Sequence, residues 1–152
     1  PAEPKQDENT FPLDKTAKKE TINVSGISLH LDSQWTKIAD NSFLCGNTAF
    51  LTVSTVNLPP AESGNQLSAS ERLIRLLTAS SPYVKTLLPY TIAEGTPSAF
   101  TLTQSVYDIE SKKISKDIKR CIKNKDGSFT IISLTVNSYA YSAAQAYFNG
   151  LF

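Results

Sequence analysis

The distribution of hydrophobic and polar positions predicts a chain organised around one central strand. Residues 128–137, SFTIISLTVN, concentrate β-branched and aromatic side chains over a length that suits a strand and is too short to cross a membrane. Asp126-Gly127, directly before this run, is a dipeptide typical of a tight hairpin, so the residues ahead of it should pair back alongside. We therefore place the run in the middle of an antiparallel sheet.

Further strands are predicted where apolar and polar residues alternate. Residues 27–31 form such a pattern and are followed by a turn and Trp35, and a single tryptophan in that position typically closes a core from its edge with its N–H bonded to a partner. Residues 43–58 are also strand-like, and 100–107 alternate with a polar outer side. Pro89 indicates that the strand around it lies at an edge of the sheet.

Two helices are predicted beside these strands. Ser68 and Glu71 have the spacing of a capping box, and leucines at helical spacing follow them, so we expect a helix near 68–80. The tail has alanine and aromatic residues at the same spacing, which predicts a C-terminal helix near 140–151. The expected fold class is α+β, an antiparallel β-sheet flanked by two helices.

The first residues differ in composition from the rest of the chain. Residues 1–21 combine proline and charge with almost no core-forming side chains, which predicts a polar flexible N-terminal tether, and 22–152 then form a single domain. The sequence begins at Pro1 and contains no methionine, which suggests that an upstream segment was removed. The net charge of +1 gives no indication of a nucleic-acid partner. We expect a monomer without cofactors.

The chemistry-bearing residues are sparse. Cys45 and Cys121 either pair, closing a loop for which the chain-entropy model gives about 4 kcal/mol, or remain two buried thiols, and the sequence leaves both alternatives open. His30 and Asp32, two apart on the expected outward face of a strand, are too few for a metal site without a further ligand. We find no nucleophile elbow, phosphate loop or cysteine–histidine pair, so the sequence assigns no catalytic, cofactor-binding or metal-binding residue.

A basic segment before the central strand is the most unusual local feature. Seven cations lie within about fifteen residues, and periodicity allows strand or helix, of which the Asp-Gly turn favours strand. One interpretation is a positive face for an anionic partner, and the other is a set of edge-strand lysines that discourage pairing between sheets. The residues are Lys112, Lys113, Lys116, Lys119, Arg120, Lys123 and Lys125.

The order of these elements resembles the PsbP-like superfamily, which includes the extrinsic photosystem II protein, a Ran-binding import factor and small exported bacterial lipoproteins. The likeness lies in ISLHLDSQWTKI as strand, turn and tryptophan, SASERLIRLL as crossing helix, SAFTLTQSVYD and SFTIISLTVNS as paired strands, and AAQAYFNGLF as closing helix. The turn at 32–34 departs from the usual form with proline and glycine.

The resemblance implies a non-enzymatic, partner-binding role and assigns no catalytic residue. We therefore expect an exported, extracytoplasmic domain, tethered to the envelope through an N-terminal lipid anchor, that binds an unknown protein, an envelope component or a small ligand. The alternative is a hydrolase or metal-dependent enzyme whose site is assembled only in three dimensions.

Overall fold

A computed structural model describes residues 12–60, 64, 68–77 and 84–152, with the backbone alone for 84–95. The strands are β1 (Glu20–Val24), β2 (Ile27–Leu31), β3 (Trp35–Ala39), β4 (Ser42–Cys45), β5 (Ala49–Val56), β6 (Val84–Thr96), β7 (Ala99–Asp108), β8 (Lys113–Lys123) and β9 (Phe129–Asn137). The helices are α1 (Ala69–Leu77), α2 (Ser138–Ala143) and α3 (Gln145–Asn149). Among the described helices, none is long and apolar enough to span a membrane.

The predicted central strand lies at the centre of the main sheet. Within the described residues this sheet has seven antiparallel strands in the order β3-β4-β5-β9-β8-β7-β6, and β1 and β2 form a separate hairpin. The fold is α+β, as predicted. The turn at Asp126-Gly127 joins β8 to β9, and Gly127 adopts a φ of 88°, a left-handed conformation that favours glycine.

Each face of the sheet carries its own hydrophobic cluster. Ile131 and Ile132 are neighbours on β9 and point to opposite faces because side chains alternate along a strand. The cluster of Ile131 is covered by α1, whose Leu73 and Ile74 are buried there, and the cluster of Ile132 is covered by α2, α3 and the β1–β2 hairpin. We call these the α1 face and the α2–α3 face.

The first predicted helix is confirmed over 69–77, while 78–80 lie outside the described residues. Ser68 Oγ accepts from the Glu71 backbone N–H at 3.2 Å, which is the N-terminal half of the expected capping box. The C-terminal helix is present but divided into α2 and α3, because Ala144 has φ −144° and ψ 42° and so leaves the helical conformation.

The described part of the expected tether is attached to the domain. Lys15 Nζ donates to the Ala143 carbonyl at 2.9 Å, Lys19 Nζ donates to the Tyr147 carbonyl at 2.9 Å, and Leu13 packs against the α2–α3 cluster. Residues 12–19 are therefore not a free spacer, and β1 already begins at 20. The composition of residues 12–19 does not predict this attachment, because Lys15 and Lys19 bond to carbonyl groups of helices that are distant in the sequence. Residues 1–11 lie outside the described part of the chain.

Candidate functional site

A buried hydrogen-bond chain joins the turn after β2 to α3. Trp35 Nε1–H donates to the Tyr147 hydroxyl oxygen at 3.0 Å, and that hydroxyl donates to Asp32 Oδ2 at 2.5 Å. Burial, followed by the hydrogen bond to Asp32, raises the pKa of Tyr147 well above its usual range. The partner expected for the Trp35 N–H is thus found. We interpret this hydrogen-bond chain as a structural lock between the turn at Asp32 and α3, because the three side chains are buried and bonded to one another.

The sequence placed Asp32 on an outward strand face with His30, and that expectation is wrong for Asp32. Its carboxylate is turned inward, where Oδ1 also accepts from the Gln34 backbone N–H at 2.9 Å. His30 Nδ1 lies 3.0 Å from Thr21 Oγ1, on the neighbouring strand of the hairpin. In the part of the chain that the structure describes, no three histidine, cysteine or acidic side chains gather closely enough to hold a metal ion.

The two cysteines are free thiols on opposite faces of the sheet. Cys45 lies in the α2–α3 cluster, whereas Cys121 lies in the α1 cluster. Their strands, β4 and β8, are separated by β5 and β9, so they stand about 14 Å apart at the usual strand spacing, beyond the reach of a disulfide. Burial raises the pKa of each thiol to about 11. Of the two alternatives left open by the sequence, the structure has the unpaired thiols.

Two clefts lie at the borders of the helix-covered regions. One, of about 270 Å³, separates the β1–β2 hairpin from β3 and has Lys18, Glu20 and Lys37 around Trp35. The other, of about 190 Å³, lies on the α1 face beyond the end of the helix, beside Phe50, whose side chain is 38% exposed. Neither cleft is lined by a histidine or a cysteine.

The basic segment forms β8, as the turn predicted, but β8 is an interior strand. It lies between β7 and β9, so the interpretation of its lysines as protection of a sheet edge is wrong for this sheet. Alternation also divides the cations within the strand. Lys116 and Arg120 point to the α2–α3 face, and Lys113, Lys119 and Lys123 point to the α1 face, while Lys112 and Lys125 lie outside the strand in the flanking turns.

Polar side chains on the α1 face bond to one another. Lys119 Nζ donates to both oxygens of Asp117 at 2.9 Å and to Ser133 Oγ at 3.0 Å, and Gln104 Nε2 donates to Asp117 Oδ2 at 3.1 Å. Lys119 is the donor in each of its contacts. The four side chains are therefore bonded within the cluster, and Asp117 neutralises the charge of Lys119.

Polar side chains on the α2–α3 face of the same two strands are arranged differently. On this face α2 contacts β8 and β9. Six half-buried polar residues of β7 and β8 lie around the buried Ile118, and we call them the β7–β8 surface. Across it, the register places Thr101 beside Arg120 and Ser105 beside Lys116. The six residues are Thr101, Thr103, Ser105, Tyr107, Lys116 and Arg120.

The polar groups of the β7–β8 surface have few internal partners within the described part of the chain. Among the described residues, its four hydroxyl groups and the Arg120 guanidinium make no side-chain hydrogen bond or ion pair. Lys116 Nζ lies 5.8 Å from the centre of the Tyr141 ring, at the border with α2. The acidic residues of β7 and β8, Asp108 and Asp117, have the opposite alternation and point to the α1 face. The surface thus presents free donors and an excess of positive charge.

Comparison with known proteins identifies the class of fold. The solution structure of cyanobacterial PsbP (CyanoP) from Synechocystis sp. PCC 6803 is similar to this chain with a TM-score of 0.52, 13% sequence identity and coverage of 90% of each chain. The fold is therefore PsbP-like, and the resemblance predicted from the sequence is confirmed.

A comparison of the sequence with known families identifies the family to which the chain belongs. Residues 19–152 match the family described as Domain of unknown function (DUF7955), and the chain belongs to that family. No curated protein sequence matches it.

Proposed function

We propose that this chain is a non-catalytic binding domain that engages another macromolecule through the β7–β8 surface. The observation that carries the proposal is the contrast between the two faces of the same strands. On the α1 face, Gln104, Asp117, Lys119 and Ser133 bond to each other, whereas the hydroxyl groups and the Arg120 guanidinium of the β7–β8 surface have no partner among the described residues. Because these groups keep part of their surface open to solvent, they are available to bond to the polar groups of a partner.

The location that we propose is extracytoplasmic, with a lipid anchor at the N-terminus of the mature protein. The polar composition of residues 1–11 supports a short connection between an anchor and the domain. The sequence resemblance to the PsbP-like superfamily implies a partner-binding role, and the PsbP-like fold agrees with that resemblance. An intact mass of the protein from its native source tests the anchor: added diacyl mass supports it, and an unmodified N-terminus contradicts it.

Site-specific photo-crosslinking in the native source tests the binding role. A photoreactive phenylalanine analogue at Thr103 lies within the β7–β8 surface, and the same group at Thr36, exposed on β3, is the matched control at the far side of the sheet. We expect one discrete crosslinked species from position 103 and none from position 36. Equal crosslinking at both positions, or none at either, would contradict the proposal.

A further inference from the structure

The charges of β7 and β8 are segregated by face in a way that identifies the chemistry of a partner. On β8, positions 114, 116, 118, 120 and 122 share the α2–α3 face, and their charged members, Lys116 and Arg120, are both cations. On the opposite face the cation Lys119 is paired with Asp117. Lys113 and Lys123 lie at the two ends of β8 on that opposite face. In the middle of the strand, the positive charge without an acidic partner among the described residues therefore lies on the β7–β8 surface, which favours an anionic occupant.

The spacing of the polar groups follows the repeat of an extended chain. Residues two apart on a strand are separated by about 6.7 Å, so the hydroxyl groups of Thr101, Thr103, Ser105 and Tyr107 form a row with this period. Lys116 and Arg120, four residues apart, are separated by about 13 Å on the neighbouring strand. Acidic side chains at positions i and i+4 of an extended peptide have the same separation.

We infer that the β7–β8 surface binds an extended acidic segment of a partner protein, with carboxylates four residues apart opposite Lys116 and Arg120 and with the hydroxyl row bonded to its polar groups. This inference rests on the proposed function and names the partner for the same site. A regular row with matching period favours a polypeptide over a lipid surface, which has no register. The two clefts described above are lined by other residues.

Synthetic heptapeptides provide the probes. The peptide TETVTET carries glutamates at i and i+4, TTETETT carries the same charge at i and i+2, and TQTVTQT is the uncharged control. Each is titrated into the full 152-residue chain at low salt, because exposed ion pairs are screened at high ionic strength. Binding is followed by backbone amide chemical shifts, which report both affinity and position.

We expect TETVTET to bind most tightly and to shift amide signals of β7 and β8. The double variant Lys116→Gln/Arg120→Gln should weaken it about fivefold, because exposed ion pairs contribute modestly. The matched control is Lys113→Gln/Lys123→Gln, which removes the same charge from the opposite face of the same strand and should change affinity less than about twofold. If the double variant does not fold, Arg120→Gln alone provides the same comparison.

Several results would overturn the inference. Equal weakening by the control variant, shifts that map to another part of the domain, or equal affinity for the three peptides would each contradict it. The inference is also contradicted if the protein binds phosphatidylglycerol vesicles or polyphosphate more tightly than TETVTET and Lys116→Gln/Arg120→Gln abolishes the binding to those vesicles or to polyphosphate. If none of the peptides binds but position 103 gives a discrete crosslink, the partner is not an acidic segment and the proposed binding role is still supported. If position 103 gives no crosslink, the binding role itself is contradicted.

Discussion

Replacing Tyr147 by phenylalanine tests the buried lock between the turn at Asp32 and α3. The change removes one hydroxyl and keeps the ring, which packs edge-on against Phe148 with centroids 5.1 Å apart. It removes the donor at 2.5 Å from Asp32 and the acceptor at 3.0 Å from Trp35 Nε1. A hydrogen bond to a charged group contributes roughly 1.5–3 kcal/mol, and a buried N–H without a partner costs about 1–3 kcal/mol.

We therefore expect Tyr147→Phe to lower the free energy of unfolding by about 3 kcal/mol and the melting temperature by about 10 °C. Urea unfolding measures the change, and Trp35, the single tryptophan, provides a fluorescence signal next to the perturbation. Tyr141→Phe is the matched control, because its hydroxyl donates to Asn149 Oδ1 at 3.1 Å in an exposed position and its loss should cost less than about 0.5 kcal/mol.

The pH dependence gives an independent check. The folded-state pKa of Tyr147 is raised above the unfolded value of 10.0, so its contribution to stability is complete below pH 10.0 and is lost as pH rises toward the folded-state pKa. Between pH 10 and pH 11 the difference in unfolding free energy between the native protein and Tyr147→Phe should narrow by about 1 kcal/mol. A loss no larger for Tyr147→Phe than for Tyr141→Phe, or a difference independent of alkaline pH, would refute the reasoning.

Three further changes test other parts of the fold. Cys45 and Cys121 should not react with Ellman's reagent at pH 8 in the folded protein and should give two equivalents in urea, since burial raises each thiol pKa to about 11; rapid reaction of either in the folded state contradicts this. Gly127→Ala should cost about 1 kcal/mol in urea unfolding because φ is 88°, and an unchanged midpoint would contradict the turn geometry. Lys119→Met should cost about 2 kcal/mol by leaving Asp117 without its cation, and Asp117→Leu/Lys119→Met should recover part of that loss; an equal or larger loss for the double variant would contradict the pairing.

Local sequence signals predicted the elements that depend on neighbouring residues. The run at 128–137 has the composition of a buried strand, and Asp126-Gly127 fixes the hairpin that pairs it with β8. Ser68 starts α1 because its side chain reaches a backbone N–H three residues away. In each of these cases the determining contact lies within a few residues, so periodicity and capping rules were sufficient.

The burial of Asp32 could not be predicted in the same way. An aspartate after a strand normally faces water, and its partner Tyr147 lies 115 residues further along the chain. The break at Ala144 was equally hidden, because alanine has a high helix propensity and tertiary packing overrides it there. The attachment of Lys15 and Lys19 to α2 and α3 also depends on distant carbonyl groups.

The basic segment shows why the candidate surface was predicted only in part. The cluster of seven cations in the sequence coincides with β8 and its flanking turns, but the sequence gives these cations as one face. Alternation along the strand assigns Lys116 and Arg120 to one side and Lys119 to the other. Alternation along 100–107 predicts the hydroxyl row of β7 as the polar side of a strand. It does not predict the neighbours of that row, which depend on the pairing of Thr101 with Arg120 and Ser105 with Lys116.

The interior position of β8 changes how its charges are interpreted. A lysine on an edge strand can be explained by the need to prevent pairing with another sheet, but β8 is hydrogen-bonded on both sides and needs no such protection. Lys119 is accounted for by Asp117 and Ser133, and no described residue accounts in the same way for Arg120. A half-buried guanidinium and hydroxyl groups without partners among the described residues add nothing evident to folding, and this is the physical reason for our proposal that the β7–β8 surface binds a partner.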